Sequence, residues 1–418
     1  MSSKKSSVEF WLSQLEEHLK RERYSPQAVQ RGTVVARDFL TYLDKQRIAV
    51  ESVESTDVTL YLRDALRLYQ RRHGHTPKSL HAPKSFQWWR YSHTTSINML
   101  LRLMRGHWPP PPPPVFCRDV CEGYDKWMDD LRGLPLETRS GRCAEARRFL
   151  SWLGERGSSQ NLLNITVKGV DAYMMLRAKS QRRTTLKRCA TDLRSFLRYL
   201  YATGRVNLDL STAVITPRLY AFESIPSALR PEDIKAVLET TRNDRSRKGL
   251  RDYAVLMLLS SYGLRAGEVT ALQLDHVDWR SETLRIRHSK TGAYSELPLL
   301  PAVGTAILDY LQNGRPKAKV RELFIRTCAP YRSFRNGSSL HRLIHKRLVA
   351  AGVEPQGRRG PHAFRHARAV SMLRAAVPIK EIGDILGHRS ADSTTTYLKL
   401  ATEDLRAVAL EIPVEVRA

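Results

Sequence analysis

The sequence LGHRSADSTTTY at residues 386–397 ends in a tyrosine that follows a glycine, a histidine and a run of threonines. Two earlier stretches contain related chemistry, HAFR at residues 362–365 and GLRAGE at residues 263–268. Each stretch alone is ordinary. In this order they supply two arginines, two histidines and a late tyrosine, which are groups that can hold an anionic substrate and attack it. We therefore predict a catalytic site in the last block of the chain.

The charge of the chain indicates its partner. Lys and Arg number 69 against 42 Asp and Glu, which gives a net charge of +27. A compact protein with this surplus repels itself unless an anionic partner neutralises the charge. Double-stranded DNA fits best, because each phosphate contacted releases a condensed counterion. An anionic membrane fits poorly, since the charge is spread along the chain and does not cluster beside an apolar segment.

The sequence predicts a cytoplasmic, nucleoid-associated protein. No stretch has the length and apolarity of a transmembrane helix, and the first residues lack the apolar core of a signal peptide. The cysteines are odd in number and scattered, at 117, 121, 143, 189 and 328. Cys117 and Cys121 resemble half of a zinc site, but no second pair follows at a suitable spacing, so we expect free thiols and no metal.

Two proline-rich segments divide the chain. Residues 109–114 are all proline, which predicts an extended polyproline linker. Prolines at both ends of residues 216–226 interrupt a helical pattern and mark a second linker. We expect at least two domains from the length alone, and the linkers predict three, at 1–108, 115–215 and 227–418.

The first two blocks resemble each other weakly, which favours a duplication. Each contains an aromatic helical segment, a second motif ending in tyrosine, and then a Thr-Thr pair that we expect to open a helix. The matched segments are 37–43 with 147–153, 58–61 with 170–173, and Thr94-Thr95 with Thr184-Thr185. Coincidence among amphipathic helices is the alternative. We therefore regard 1–108 as an additional helical domain that is a candidate repeat of the second block.

The pattern of apolar residues predicts a mainly α protein with a small antiparallel sheet. Both early blocks have helical spacing. In the third block, Pro231 opens a helix, and residues 283–287 alternate as a strand does. A turn at 289–292 leads to a returning strand at 296–299, so we predict a hairpin.

One helix of the second block, between Arg182 and Arg205, has a basic stripe beside its apolar face. A solvated helix surface normally mixes charges of both signs. We predict that this stripe lies against DNA, the alternative being a merely soluble surface. The residues of the stripe are Arg183, Lys187, Arg194, Arg198 and Arg205.

A phosphodiester is anionic and has a poor leaving group, so a protein that cleaves it without a metal must supply positive charge, a nucleophile and a proton. Arg265 and Arg365 are our candidates for the charge, because guanidinium groups stay protonated and donate paired hydrogen bonds to phosphate. Most arginines are surface cations. Arg265, however, follows an apolar helix and a glycine turn, and Glu268 lies one helical turn later, where it can orient the guanidinium.

The histidines and the tyrosine complete the predicted site. His362 begins a helix one turn before Arg365, which suits proton transfer with the tyrosine hydroxyl or a hydrogen bond to phosphate. His388 follows a Leu-Gly turn and is a candidate donor to a non-bridging oxygen. Tyr397 is the candidate nucleophile. A lone tyrosine on a threonine-rich helix more often packs than reacts, so this assignment depends on the whole set.

These motifs resemble the tyrosine recombinase, or phage integrase, family, and the resemblance covers the second and third blocks. It implies that 115–215 is a helical core-binding domain that grips the opposite side of the duplex from the catalytic domain at 227–418. It also implies that Lys290, at the hairpin turn, is the general acid for the 5′-hydroxyl leaving group, whereas the sequence alone favours an ordinary exposed lysine. Phe364 stands where leucine is commoner, an apolar exchange of little consequence. The additional block 1–108 is the main departure.

The resemblance implies a site-specific recombinase of a mobile element or phage. Tyr397 would form a 3′-phosphotyrosyl bond, and two rounds of strand exchange would pass through a Holliday junction, with no metal, ATP or other cofactor. The expected assembly is a homo- or heterotetramer on DNA, with sister recombinases as candidate partners. The resemblance further implies that a tail helix after Thr402 inserts into a neighbouring protomer. Docking of this helix on its own domain is the alternative.

Three other functions compare with this interpretation as follows. A type IB topoisomerase uses the same chemistry to relax supercoils without strand exchange. A non-catalytic DNA-binding protein could retain the fold. A metal-dependent transposase has no support, because the sequence contains no phosphate-binding glycine loop and no carboxylate cluster suited to magnesium.

Overall fold

The structure is a computed structural model. It describes residues 2–77, 85–109, 116–155, 162–219, 229–288, 292–355 and 359–387. The chain divides into two compact units, one formed by Met1–Trp108 with Ile225–Ala418 and the other by Pro109–Ser224. In the first unit, the Arg23 guanidinium donates a 2.8 Å hydrogen bond to the Lys317 carbonyl, which links the N-terminal block to the third block.

The N-terminal block is helical around one hydrophobic core, which includes Leu15, Phe39 and Ile97. A 3₁₀ turn at Val50–Ser52 separates the second and third helices. Ser25 begins the second helix by accepting a hydrogen bond from the Ala28 amide, as an N-cap does. The helices are α1 (Ser2–Arg21), α2 (Pro26–Gln46), α3 (Ser55–His73) and α4 (Ser85–Arg105).

The second unit repeats this order. A 3₁₀ turn at Leu162–Asn164 again separates the second and third helices of the unit. The core includes Tyr124, Phe149 and Phe196, all fully buried. The helices are α5 (Arg118–Arg132), α6 (Leu136–Glu155), α7 (Val167–Ser180) and α8 (Arg183–Ala202).

The two helical blocks also share an aromatic contact. Phe39 of α2 meets Tyr61 of α3 edge-on, with ring centroids 5.1 Å apart and planes at 75°. Phe149 of α6 meets Tyr173 of α7 at 5.1 Å and 73°. These pairs fall within two of the segment matches found in the sequence.

The third sequence match is wrong in one respect. Thr184-Thr185 lie in the first turn of α8, as expected, but Thr94-Thr95 lie in the middle of α4 and do not open a helix. The physical reason is that Trp89 packs into the core of its block with 8% of its surface exposed, which extends α4 back beyond the threonines.

The third block surrounds the apolar helix α10, which packs against the helices before and after it. Pro231 occupies the first turn of α9, as predicted. A π-helical turn at Tyr310–Gly314 follows α12. The helices are α9 (Pro231–Arg242), α10 (Arg247–Tyr262), α11 (Ala266–Ala271), α12 (Pro301–Asp309), α13 (Ser338–Ala350), α14 (Pro361–Arg374) and α15 (Ile379–Leu386).

The sheet of this block is small and antiparallel, in the order β1 (Val277–Asp278), β2 (Thr283–Arg287) and β3 (Tyr294–Pro298). Leu284 pairs with Leu297, and Ile286 with Ser295. The predicted hairpin and the predicted fold class, mainly α with a small antiparallel sheet, are therefore confirmed. No helix of the described ranges has the length and apolarity needed to cross a membrane.

A buried ion network joins α10 to α13. Asp252, with 1% of its side chain exposed, accepts hydrogen bonds from Arg251 at 2.7 Å and from Arg347 at 2.8 Å. Arg347 also reaches Asp244 at 2.7 Å. Removing one partner of such a network leaves uncompensated charge in a poorly solvated place.

We expect Asp252→Ala to lower the free energy of unfolding by about 3–5 kcal/mol, because it leaves the buried Arg251 and the partly buried Arg347 without their shared carboxylate. The measurement is the shift of the urea unfolding midpoint. The matched control is Asp309→Ala, which removes a carboxylate that pairs with the exposed Arg245 and should cost at most about 1 kcal/mol. Equal losses in the two variants would contradict the importance of the network.

Candidate active site

A glycine turn places Arg265 in the site. Helix α10 ends at Gly263, whose φ of +66° is a left-handed conformation that suits glycine. A Cβ at this position would lie 2.9 Å from the Leu386 side chain, so the turn packs closely against the end of α15. Arg265 then acts as the N-cap of α11.

Glu268 holds Arg265 in place. Its Oε2 accepts a 2.8 Å hydrogen bond from the Arg265 amide, and its Oε1 accepts one of 2.9 Å from Nη1. Nη2 of Arg265 donates to the Gly387 carbonyl at 3.0 Å. The Glu268 side chain is 1% exposed and that of Arg265 is 18% exposed. The guanidinium is thus oriented by the protein while part of its surface stays open to a ligand.

Arg365 reaches the same place from α14. It is 3% exposed. Its Nη1 donates to the Gly263 carbonyl at 2.8 Å, and its Nη2 donates to the Leu386 carbonyl. Both predicted arginines therefore hold the backbone at Leu386 and Gly387, the two residues directly before His388. The structure brings Arg265, Glu268 and Arg365 together, as the sequence predicted.

Glu268 is ionised in this setting. Burial alone would raise the pKa of its carboxyl group, but hydrogen bonds from His288 and Arg265 outweigh burial and hold the pKa below its ordinary value. The resulting carboxylate offsets one guanidinium charge.

His288 is a site residue that the sequence analysis missed. It follows the last residue of β2, is 7% exposed, and its Nδ1 lies 3.0 Å from Oε1 of Glu268. Its Nε2 lies 2.8 Å from Oγ of Ser295 on β3. The period of two residues in β2 could have identified it, because His288 continues the buried face that Leu284 and Ile286 form.

Of the remaining predicted catalytic residues, the structure describes His362 alone. His362 is the second residue of α14 and is exposed, one turn before the buried Arg365, and its ring centroid lies 6.2 Å from that of His366. Lys290, His388 and Tyr397 lie outside the described residues, as does the predicted tail helix. Their roles stay predictions.

The basic stripe on α8 makes contacts within its own unit. Arg194 donates to the Val214 carbonyl and Arg183 to the Arg218 carbonyl. Nε of Arg198 lies 3.4 Å from Oγ of Ser211. The prediction for Arg205 is wrong in one respect, because α8 ends at Ala202 and Gly204 turns the chain with a φ of +66°, so Arg205 lies beyond the helix, with its Nη1 3.3 Å from Asp119. Lys187 is exposed. Several stripe arginines thus tie down the segment after α8, and contact with DNA stays a prediction.

The arrangement of these side chains suits an anionic ligand such as a phosphate. Two guanidinium groups with fixed backbone and carboxylate partners are preorganised donors, which stabilise charge that develops on an oxyanion. A polar chain through Glu268 and His288 links Arg265 to the hairpin. The geometry provides electrostatic stabilisation close to the backbone that leads into residue 388.

Comparison with known proteins points to one family. The sequence model of the phage integrase family matches residues 227–404. The integrase/recombinase y4gC of Sinorhizobium fredii (strain NBRC 101917 / NGR234) is 56% identical over 189 residues, which cover 45% of this chain and 97% of y4gC. From the same organism, the integrase/recombinase y4rF is 33% identical over 291 residues, covering 69% of this chain and 68% of y4rF.

A solved structure has the same fold. The crystal structure of the XerH site-specific recombinase bound to palindromic difH substrate, in a post-cleavage complex, aligns with a TM-score of 0.54 at 14% sequence identity. The alignment covers 84% of this chain and 95% of that one. At this identity the likeness concerns the fold alone.

Proposed function

Because the chain belongs to the phage integrase family of tyrosine recombinases, we propose that it breaks and rejoins double-stranded DNA at specific sites. The observation that supports this function most strongly is the convergence of Arg265 and Arg365 on the backbone at residues 386–387. Such a pair suits a phosphate, and the residues next along the chain lead to Tyr397.

The proposed chemistry is a transesterification. The Tyr397 hydroxyl attacks a DNA phosphate, a bond forms between its oxygen and phosphorus, and the bond to the 5′-oxygen breaks. Arg265 and Arg365 stabilise the charge on the non-bridging oxygens, with His388 as a further donor. His362 exchanges the tyrosine proton, and Lys290 protonates the departing 5′-oxygen. The product is a 3′-phosphotyrosyl bond and a free 5′-hydroxyl.

The same reaction in reverse completes recombination. The 5′-hydroxyl of a partner duplex attacks the phosphotyrosine and releases Tyr397. The phosphotyrosyl bond conserves the energy of the original phosphodiester, so the cycle needs no ATP. Two rounds of exchange pass through a Holliday junction. Both strands of two duplexes are cut, and each protomer provides one tyrosine for one cut. The assembly is therefore a tetramer, composed either of this chain or of this chain with sister recombinases.

We assign the remaining domains to DNA binding. Residues 115–215 are the core-binding domain, and 1–108 is a second domain of the same kind that extends the contact with DNA or with a sister protomer. In support of this assignment, both blocks have the same order of helices and the same packing of phenylalanine on tyrosine.

A plasmid assay tests the proposed function. The target sequence is first found by trapping covalent complexes on nicked DNA fragments, and two copies are then placed on a supercoiled plasmid. Recombinant product in excess EDTA is the expected outcome, because the arginines and Lys290 supply the charge and the proton. Relaxation without recombinants would instead identify a topoisomerase. Sequence-specific binding with no covalent complex would identify a non-catalytic protein.

The basic stripe of α8 offers a separate prediction. We expect Lys187→Glu to weaken binding to every DNA sequence and to reduce the slope of log affinity against log salt by about one unit, as the loss of one phosphate contact does. Lys187 is preferred to Arg194, whose guanidinium also holds its own unit together. The control is Lys168→Glu, the same charge change at an exposed position of α7. Identical salt slopes for the two variants would place the stripe away from DNA.

A further inference from the structure

The ring of His288 joins the hairpin to the arginine site. His288 directly follows the last residue of β2 and precedes Lys290 by two positions in the sequence. Both of its ring nitrogens have partners, Glu268 at 3.0 Å and Ser295 at 2.8 Å. The ionised Glu268 can only accept, so Nδ1 of His288 carries the hydrogen in this bond. Nε2 lies within hydrogen-bond distance of the Ser295 hydroxyl. A continuous polar chain therefore runs from Ser295 through His288 and Glu268 to Arg265.

The other side of the ring packs against the backbone that leads to His388. A Cβ on Gly387 would lie 2.6 Å from Cε1 of His288, closer than real side chains approach. Gly387 also has a φ of +63°, a conformation that favours glycine. Its carbonyl accepts the 3.0 Å hydrogen bond from Arg265. His288 thus contacts both the partner of Arg265 and the backbone that Arg265 holds.

We propose that His288 is a positioning residue that sets the hairpin of β2 and β3 against Glu268, Arg265 and the Gly387 backbone. In the proposed function this hairpin carries the general acid Lys290, so His288 aligns it with the phosphate-binding groups. This inference rests on the proposed function. It deepens that function by naming a residue that acts through its contacts with Glu268 and Gly387. Its effect falls on protonation of the leaving group, because the hairpin turn carries Lys290.

A merely structural histidine would act differently. Loss of such a residue lowers stability and reduces all activities in proportion to the folded fraction. A positioning residue changes the rate of a chemical step in protein that is folded and bound to DNA. Misplacement of a reacting group by about 1 Å can cost about 100-fold in rate.

The test compares two variants. His288→Leu fills the buried position with an apolar side chain that can make no hydrogen bond, and His288→Gln has an amide group that can both donate and accept. Single-turnover cleavage is measured at saturating enzyme on a nicked suicide substrate that traps the covalent product, together with DNA affinity and the melting temperature. We expect His288→Leu to cleave about 10- to 100-fold more slowly at unchanged DNA affinity. His288→Gln should recover most of the rate.

A second substrate isolates the step. A 5′-bridging phosphorothiolate has a thiolate leaving group, which departs without protonation because its conjugate acid is far stronger than an alcohol. The defect of His288→Leu should shrink to severalfold or less on this substrate. A defect of equal size on both substrates would overturn the proposed coupling to Lys290, as would cleavage by His288→Leu at the wild-type rate.

A milder variant tests the same polar chain without replacing the buried His288, which could misfold the protein. Ser295→Ala removes one hydrogen bond from a partly exposed strand position and should show a smaller defect of the same kind. Its control, Ser281→Ala, removes the same atom from the exposed turn between β1 and β2 and should cleave normally. Full activity of Ser295→Ala on both substrates would count against the polar chain. If the wild-type protein forms no covalent product, the proposed function is wrong. If the wild-type protein and the His288 variants cleave equally well, only the role of His288 is wrong.

Discussion

Tyr397→Phe is expected to abolish the covalent protein–DNA product completely. The substitution removes one oxygen atom, which is the proposed nucleophile, and keeps the aromatic ring. The affinity for DNA should stay within about twofold, because a single hydroxyl contributes little to an interface dominated by phosphate contacts. A nicked suicide substrate on a denaturing gel reports the adduct, and a gel shift reports binding.

The matched control is Tyr253→Phe, the same change at a partly buried tyrosine of α10. This variant should form the adduct at the wild-type rate. An adduct formed by Tyr397→Phe would show that another residue is the nucleophile, and the assignment of this residue would then be wrong.

The second large effect is expected at Arg365. Arg365→Lys keeps the positive charge but loses the planar fork that reaches the carbonyl groups of Gly263 and Leu386. A lysine cannot hold the backbone of residue 386 and also donate to a phosphate in the same geometry. We expect the single-turnover cleavage rate to fall by about 10²- to 10³-fold, as it does when a preorganised donor to an oxyanion is removed.

Stability must be followed in the same experiment, because Arg365 is buried. Arg374→Lys provides the control, since it is the same substitution at the exposed end of α14. Both variants should remain folded at the assay temperature, as judged by circular dichroism, and only Arg365→Lys should lose activity. A fully active Arg365→Lys variant would mean that charge alone suffices at this position.

Local patterns in the sequence predicted the parts of the site that depend on neighbouring residues. The hairpin was predicted from alternating polar and apolar residues between Thr283 and Arg287. The structure buries the apolar ones, because successive side chains of a strand point to opposite faces. The contact between Arg265 and Glu268 followed from their spacing of one helical turn, and the structure places them 2.9 Å apart. Both predictions needed only the geometry of one element.

Contacts between distant segments could not be predicted in this way. Arg365 donates to Gly263, and the two residues are 102 positions apart, a partnership that periodicity does not contain. His288 could be assigned to a buried face, yet nothing in the strand pattern names Glu268 or Gly387 as its neighbours. The packing of Trp89 likewise extended α4 past the threonines that had suggested a helix start.

The charge pattern on α8 was ambiguous for a different reason. A backbone carbonyl and a phosphate oxygen are both hydrogen-bond acceptors, and an arginine stripe suits either of them. The structure directs Arg183 and Arg194 to carbonyl groups of the segment after the helix. Composition therefore predicted a basic surface without separating the arginines that hold the protein together from those available to DNA.

The most direct test of the account is to identify the amino acid that becomes bonded to DNA. The covalent complex trapped on a suicide substrate is digested with nuclease and trypsin and examined by mass spectrometry. The account predicts a nucleotide joined through its 3′-phosphate to the tryptic peptide SADSTTTYLK, residues 390–399, which contains Tyr397 and no other tyrosine. A nucleotide found on any other peptide, or a 5′-phosphate linkage, would contradict the account.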